Sequence, residues 1–152
     1  MKDKKLEQFM KDEFQKEINV QFAFACLNND LETVRSYLND GYIDDLAYEH
    51  GLFAVYAAMR GNIEVLNILY ENPQKEELKK YQQNILVASA NYGHSECVKF
   101  LLEHGANPVE LQGTTAYNNY QEVEKLFNEH LHIENTVKTT GDHFISSDTH
   151  LD

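Results

Sequence analysis

The chain of 152 residues is 42% apolar, which is enough to build the core of one domain. Its 25 acidic and 13 basic residues give a net charge of −12, so we expect no binding to nucleic acid or to an anionic membrane, because both require clusters of lysine and arginine. The charge is compatible with a basic protein as partner, although solubility alone accounts for most of it.

The hydropathy pattern gives no indication of a membrane-spanning or secreted protein. No run approaches the roughly 18 apolar residues of a transmembrane helix, and residues 1–5 lack the apolar segment of a secretory signal. Cys26 and Cys97 fall on predicted inward faces of helices, where a free cysteine is usually a small buried residue. We therefore expect no disulfide between them and a reducing, cytoplasmic location.

Residues 1–19 are predicted to form an amphipathic helix. Its apolar residues recur at helical spacing: Leu6, Phe9, Met10, Phe14 and Ile18. Such a helix either caps the first of the helical units that follow or binds a partner, and we favour the capping role.

A pattern of two short helices separated by a bend recurs along the chain. In its clearest copy, residues 84–107, Gly93 supplies the left-handed residue that ends the first helix, and Gly105 ends the second. Gly61 stands 32 residues before Gly93, and Asn29 stands 32 residues before Gly61. Because asparagine is the next most tolerant residue for a left-handed backbone, three helical units of equal length are predicted.

The clearest copy resembles an ankyrin repeat. The residues that carry the resemblance are Ala90, Gly93, His94, Val98, Leu101, Leu102, Gly105 and Ala106. The Thr-Pro-Leu-His signature that opens a typical repeat is replaced by residues 84–87 (NILV), while the register of the helix is kept. The resemblance implies an all-α, ankyrin-repeat helical solenoid with an N-terminal capping helix.

The predicted repeats occupy residues 20–131, between the capping helix (1–19) and a polar C-terminal tail (132–152). Three clear repeats are predicted at about 20–43, 52–73 and 84–107, with a degenerate one at 113–131. The last is shortened, because Glu122 follows the equivalent Glu96 by 26 residues rather than 32. The tail is expected to be loosely ordered, with Phe144 and Ile145 able to anchor it.

The segments between repeats depart from the extended fingers of the family. Residues 44–51 are predicted to form a finger loop, whereas residues 74–83 have helical propensity and favour an extra turn of helix. Because the 32-residue step is one short of the family's roughly 33 residues, regular hairpin fingers are not expected.

No catalytic constellation is recognisable. The sequence lacks G-x-S-x-G, P-loop, H-E-x-x-H and C-x-x-C motifs. His94 and Cys97 have the spacing of a metal pair, but Cys97 is expected to face inward, and His94 holds a position that fixes the turn in ankyrin repeats. His130, His132 and Glu134 are expected at the end of a helix and on the tail rather than at a metal site. We therefore predict no catalytic residue, no metal, no cofactor and no small-molecule substrate.

The resemblance implies that a partner meets the concave side, formed by the ends of the first helices and by the fingers. The implied helix positions are Leu27, Asn28, Met59, Arg60, Asn91 and Tyr92. The implied finger positions are Tyr48, Glu49, Gly51, Lys80, Tyr81, Gln83, Leu111, Gln112 and Thr114. Tyrosine and arginine are enriched at interface hot spots. In the alternative interpretation, Tyr48, Tyr81 and Tyr92 pack on one another and stiffen the fingers.

These observations favour a non-enzymatic protein–protein interaction module that binds and inhibits or tethers a protein partner. Small acidic ankyrin proteins are similar in this respect to bacterial or viral inhibitor and immunity proteins. The alternative is an acidic mimic of nucleic acid that inhibits a basic nuclease or another nucleic-acid-binding enzyme. A small hydrolase with an unrecognised site is the least favoured hypothesis.

Overall fold

The structure, a computed structural model, describes residues 2–138, with side chains described for residues 3–131. Within this part of the chain the backbone forms helices and no strand. The helices are α1 (Lys2–Leu27), α2 (Leu31–Asn39), α3 (Tyr48–Arg60), α4 (Ile63–Glu71), α5 (Lys75–Lys79), α6 (Gln82–Asn91), α7 (Ser95–Glu103), a 3-10 helix (Pro108–Leu111), α8 (Thr115–Asn118) and α9 (Gln121–Lys138). The predicted all-α solenoid is confirmed.

The helices pack in two layers. Helices α1, α3, α6 and α8 lie side by side in one layer, α2, α4, α7 and α9 lie in the other, and each consecutive pair also packs across the layers. A helical pair of this kind can bury its apolar side only against its neighbours, so one core runs along the stack. Its largest fully buried side chains include Phe22 of α1, Phe53 of α3 and Phe127 of α9.

Three equivalent bends set the register of the stack. Asn29, Gly61 and Gly93 have φ values of 57°, 71° and 74°, in the left-handed region. At Gly61 a Cβ atom would lie 2.6 Å from Nδ1 of His94, and at Gly93 it would lie 2.7 Å from the ring of Tyr120. Glycine at these two bends therefore satisfies both the backbone conformation and the close approach of the next repeat, and the predicted 32-residue step is confirmed.

The connections between repeats are compact. In the first finger, Glu49, His50 and Gly51 all have positive φ values and form a left-handed turn before the right-handed part of α3 begins. In the second, the predicted extra turn of helix is observed as α5. Both segments are thus compact turns rather than extended hairpins.

The N-terminal helix differs from the prediction. Helix α1 crosses the predicted boundary between residues 19 and 20 without a break, and residues 3–14 are exposed on every side. Leu6, Phe9, Met10 and Phe14 therefore do not cover the first repeat, which is the role we expected of them. The reason is length: α1 begins about three turns before the helices against which it packs.

The C-terminal helix is also longer than predicted. Helix α9 continues to Lys138, so a tail that begins at residue 132 is wrong for residues 132–138. Extending an existing helix costs little, because each added residue also adds a hydrogen bond. Residues 139–152, including the predicted anchor Phe144 and Ile145, lie outside the described part. Among the described helices, none is both long and apolar enough to cross a membrane.

Candidate protein-binding site

The residues that precede the three bends form a row across α1, α3 and α6, which we call the helix-end row. Asn28, Arg60 and Tyr92 each stand immediately before a bend, and all three are exposed; Tyr92 exposes 53% of its surface. One position earlier, Leu27 and Met59 are half-buried. The structure therefore brings the predicted helix positions to equivalent places in successive repeats.

Hydrogen bonds between repeats fix this row. The Nδ2 group of Asn62 donates to the carbonyl oxygens of Cys26 and Leu27, at 2.8 and 2.9 Å. One repeat later, Nε2 of His94 lies 2.8 Å from the carbonyl oxygen of Met59, and this nitrogen must carry the proton because a carbonyl only accepts. Each of these bonds holds the C-terminal end of the first helix in the preceding repeat. The row is therefore already ordered in the free protein.

The finger tyrosines pack on rings other than each other. Tyr48 stacks on Phe53 of the core with ring centroids 5.7 Å apart. Tyr81 meets the edge of His50 at 5.2 Å, so the second finger braces the first. Glu49 and Lys80 are exposed, and Lys80 forms an ion pair with Glu77 at 2.7 Å. The aromatic rings stiffen the fingers, which leaves the charged side chains as their accessible groups.

Three predicted finger positions are not accessible in the expected way. Leu111 is not on the accessible surface where it was predicted: it is only 7% exposed, because the 3-10 helix turns it into the core beside α8 and α9. Gly51 is likewise buried and packs against Tyr81. Gln83 is half-buried, and its Nε2 is enclosed without a hydrogen-bond partner among the described residues. Gln112 and Thr114 remain exposed.

A groove that the sequence analysis did not identify lies between α1 and α3, beside the first finger. It has a volume of about 290 Å³ and is lined by Asn19, Val20, Ala23, Phe24, Leu27, Tyr48, Leu52 and Tyr56. Phe24 is a large aromatic residue of α1, the terminal helix of its layer, and it is 59% exposed. The groove joins two predicted residues, Leu27 and Tyr48, to an apolar surface that fits one large apolar side chain of a partner.

A signal for this groove was present in the sequence. Phe22 and Cys26 face the core, and Phe24 lies two residues from each of them, about 200° around the helix. An aromatic residue at that position must point away from the core. In the first repeat the opening signature is replaced by residues 20–23 (VQFA), and this largely apolar run makes the buried and exposed faces of α1 hard to tell apart in the sequence.

Cys26, Cys97 and His94 are each held in the fold rather than presented as reactive groups at this surface. Burial raises the pKa of the Cys26 thiol well above its usual range, and burial together with Glu96 and Glu64 raises the pKa of Cys97 to about 11. Both thiols are therefore protonated at neutral pH and poor nucleophiles. His94 is engaged with Met59, and no group of three or more metal-binding side chains occurs among the described residues. The side chains of His132 and Glu134 lie outside the described set.

Comparison with known families agrees with this architecture. The family model described as "Ankyrin repeats (3 copies)" matches residues 22–112, which is more than half of the chain. The chain belongs to the ankyrin-repeat family. Ankyrin repeats are generally protein–protein interaction modules.

Curated relatives match part of the chain. The "Ankyrin repeat, SAM and basic leucine zipper domain-containing protein 1" of Carollia perspicillata is 30% identical over 98 residues, which cover 60% of this chain and 21% of that protein. The proteins of the same name from Rhinolophus ferrumequinum and Neofelis nebulosa are 30% and 29% identical over 98 residues. This chain spans about a fifth of the length of these relatives. No solved structure gives a significant match.

Proposed function

We propose that this chain is a non-enzymatic module that binds one protein partner on its concave face and thereby inhibits or tethers it. The observation that carries the proposal is the continuity between the helix-end row and the apolar groove. Leu27 belongs to both, so a partner that inserts an apolar side chain beside Phe24 and Tyr56 meets the start of the row, which continues through Arg60 to Tyr92 in the next repeats.

The composition of this surface fits a protein partner. Aromatic and arginine side chains contribute most to protein interfaces when they surround an apolar centre, and both kinds are present. The hydrogen bonds of Asn62 and His94 hold the row in place, so binding does not have to order it. A concave binding surface on which no reactive group has been identified supports steric inhibition or tethering rather than catalysis.

The charge of the chain narrows the class of partner. A net charge of −12 attracts a basic protein over long range and speeds its encounter with the concave face. An acidic ankyrin protein that blocks a basic enzyme would act in the manner of an inhibitor or immunity protein. The two free, buried cysteines favour a reducing compartment, and we propose the cytoplasm.

The test is to identify by mass spectrometry the protein that co-purifies with the native chain and then to measure its affinity for variants. We expect Tyr92→Ala and Phe24→Ala each to weaken binding by about tenfold or more, as for hot-spot residues. Tyr42→Ala is the matched control, because Tyr42 is also an exposed tyrosine but packs against Tyr37 of the other layer. Unchanged affinity of both concave variants would refute the proposal.

The same measurements separate concave binding from mimicry of nucleic acid. Mimicry relies on the acidic surface as a whole, so it predicts affinity that collapses with added salt and survives Tyr92→Ala. Concave binding predicts a modest salt dependence and loss of affinity in that variant. If the partner is an enzyme, its activity with and without the chain then distinguishes inhibition from tethering.

A further inference from the structure

The apolar groove between α1 and α3 continues into an acidic depression beside the start of the first finger. The depression shares Asn19 and Tyr48 with the groove, and its charged lining residues are Asp12, Lys16, Asp44 and Asp45. On α1 the lining follows one stripe, because positions 12, 16, 19, 23 and 27 recur at helical spacing. The groove and the depression therefore form one trough, which is acidic at the finger and apolar toward the first bend.

The charges of the acidic part select a cationic group. Its three aspartates and one lysine sum to −2, and Lys16 is already paired with Glu13 at 3.0 Å. None of the three aspartates forms an ion pair among the described residues. No set of three metal-binding side chains occurs in that part of the chain either, so these carboxylates do not converge on one metal ion. The long, flexible side chain of a lysine or arginine fits such a spread of charge.

Asn19 offers a hydrogen-bond donor where the two parts of the trough meet. The residue is only 5% exposed, and its Oδ1 accepts from Nε2 of Gln15 at 3.0 Å. The same nitrogen of Gln15 donates to the carbonyl oxygen of Tyr42 at 2.9 Å, which holds the pair of amides in place. Nδ2 of Asn19 has no acceptor among the described residues, although it is not enclosed. A backbone carbonyl of a segment bound in the trough would satisfy this donor.

We propose that the trough binds an extended segment of a protein partner in which a large apolar residue stands about two to four residues from a lysine or arginine. The apolar side chain enters the groove beside Phe24 and Tyr56, the cation lies at Asp44 and Asp45, and a carbonyl between them accepts from Asn19. The two sets of lining residues on α1 are offset by about seven residues, or about 10 Å, which is the length of about three residues of extended chain. This role rests on the proposed function, because it specifies which part of a partner the concave face takes.

Two other occupants lack the cation. Residues 139–152 of this chain include the apolar pair Phe144 and Ile145, but they contain three aspartates and no lysine or arginine, so the acidic part of the trough repels them. An anionic lipid surface is repelled by the same aspartates. A basic segment of another protein matches both parts of the trough.

Peptide selection tests this chemistry. Peptides of random sequence displayed on phage are selected on the full chain at physiological ionic strength, so that the net charge of −12 does not by itself retain basic peptides. We expect the enriched peptides to share a phenylalanine, tyrosine, leucine or methionine within about four residues of a lysine or arginine. No enrichment, or enriched peptides without the basic residue, overturns the proposal.

Charge reversal then locates the basic residue. The most enriched peptide is synthesised with its basic residue kept or replaced by glutamate, and both forms are titrated by fluorescence polarisation. We expect Asp44→Lys to weaken binding of the basic form at least about tenfold and to strengthen binding of the glutamate form. Glu103→Lys makes the same change of net charge at an exposed site in the other layer, on α7, and we expect it to bind both forms as the wild type does. Equal effects of the two variants would show a response to net charge alone and overturn the proposal.

Two further measurements address other occupants of the trough. Replacing Phe144 and Ile145 by serine in the full chain should leave the affinity for the basic peptide unchanged, and a rise of about tenfold would show that these residues occupy the trough. Sedimentation tests for a second copy: a wild-type dimer that Asp44→Lys dissociates would assign the trough to another copy of this chain. Either result overturns the proposal.

The native partner separates this proposal from the proposed function. Loss of its binding in Asp44→Lys and Phe24→Ala as well as in Tyr92→Ala supports both. A partner that loses affinity in Tyr92→Ala, but not in Asp44→Lys or Phe24→Ala, leaves the proposed function standing and overturns the role of the trough. A selected peptide that responds to Asp44→Lys, with a native partner that responds to none of the three variants, supports the trough as a peptide site and refutes the proposed function.

Discussion

His94 of the third repeat is hydrogen-bonded to Met59 of the second, with Nε2 2.8 Å from the carbonyl oxygen. The ring that makes this bond also fills the space left by the absent side chain of Gly61. Asn62 makes the corresponding bonds one repeat earlier, to Cys26 and Leu27. The residue that follows the second bend and the residue that follows the third therefore each bond to the end of the preceding repeat's first helix, and these contacts hold the repeats at a regular spacing.

His94→Ala should lower the free energy of unfolding by about 1–2 kcal/mol, because it removes a hydrogen bond and leaves the Met59 carbonyl without its protein donor. Urea denaturation followed by circular dichroism measures the change. His94→Asn is the informative comparison, since asparagine performs this task at position 62. We expect it to restore part of the loss, and a His94→Asn variant no more stable than His94→Ala would contradict the proposed role of the bond.

Gly61→Ala should be more destabilising than Gly41→Ala. Both glycines have positive φ, 71° and 76°, so both substitutions strain the backbone by about 1 kcal/mol. At Gly41 a Cβ atom would meet nothing within 4 Å, whereas at Gly61 it would press on the His94 ring. We expect a further loss of about 1–3 kcal/mol at Gly61, measured by the same denaturation.

A double substitution tests whether the His94 ring causes this difference. In a His94→Ala background the obstructing ring is absent, so Gly61→Ala should cost about as much as Gly41→Ala does in the wild type. Denaturation of the single and double variants gives the coupling energy. Additive losses would show that the two residues do not interact through this contact.

The solenoid could be predicted because its register depends on single residues with distinctive backbone preferences. Asn29, Gly61 and Gly93 are visible in the sequence as tolerant of a left-handed backbone, and their equal spacing fixes the helical pairs. The buried Cys26 and Cys97 follow from the same register. The backbone preference of a residue is a local property, so this part of the fold could be predicted without knowing which distant residues are in contact.

The binding surface was less predictable because it depends on contacts between distant segments. Leu111 was expected to be accessible, but the 3-10 helix that begins at Pro108 buries it. The groove around Phe24 combines residues of α1 with Tyr48, Leu52 and Tyr56 of α3, which are distant in the sequence. Likewise, the apolar side of residues 3–14 shows that they form a helix, but not whether another element lies over them.

Thiol labelling should distinguish the core from the surface. Cys26 and Cys97 are fully buried, and burial raises both pKa values, that of Cys97 to about 11. In a folded variant with the exposed substitution Met10→Cys at pH 8, we expect both native cysteines to react about a hundredfold or more slowly than the new thiol. Reaction of the native cysteines requires local opening of the core. Mass spectrometry of the labelled peptides measures each site. Rapid labelling of either native cysteine without denaturant would contradict the described core.

Asp30 should make the stability of the first repeat depend on pH. Its carboxylate accepts from the Thr33 hydroxyl at 2.7 Å and from the Thr33 backbone N–H at 3.2 Å, and these bonds lower its pKa in the folded chain. A lowered pKa stabilises the fold above the unfolded value, near 4, and the contribution is lost as pH falls through the folded value. Asp30→Ala should therefore lower Tm by a few degrees at pH 7 and by progressively less below about pH 4. Asp30→Asn, which keeps a cap without the charge, is the control in a series of thermal melts. A constant gap between wild type and Asp30→Ala from pH 7 to the acid range would exclude this carboxylate as a source of the dependence.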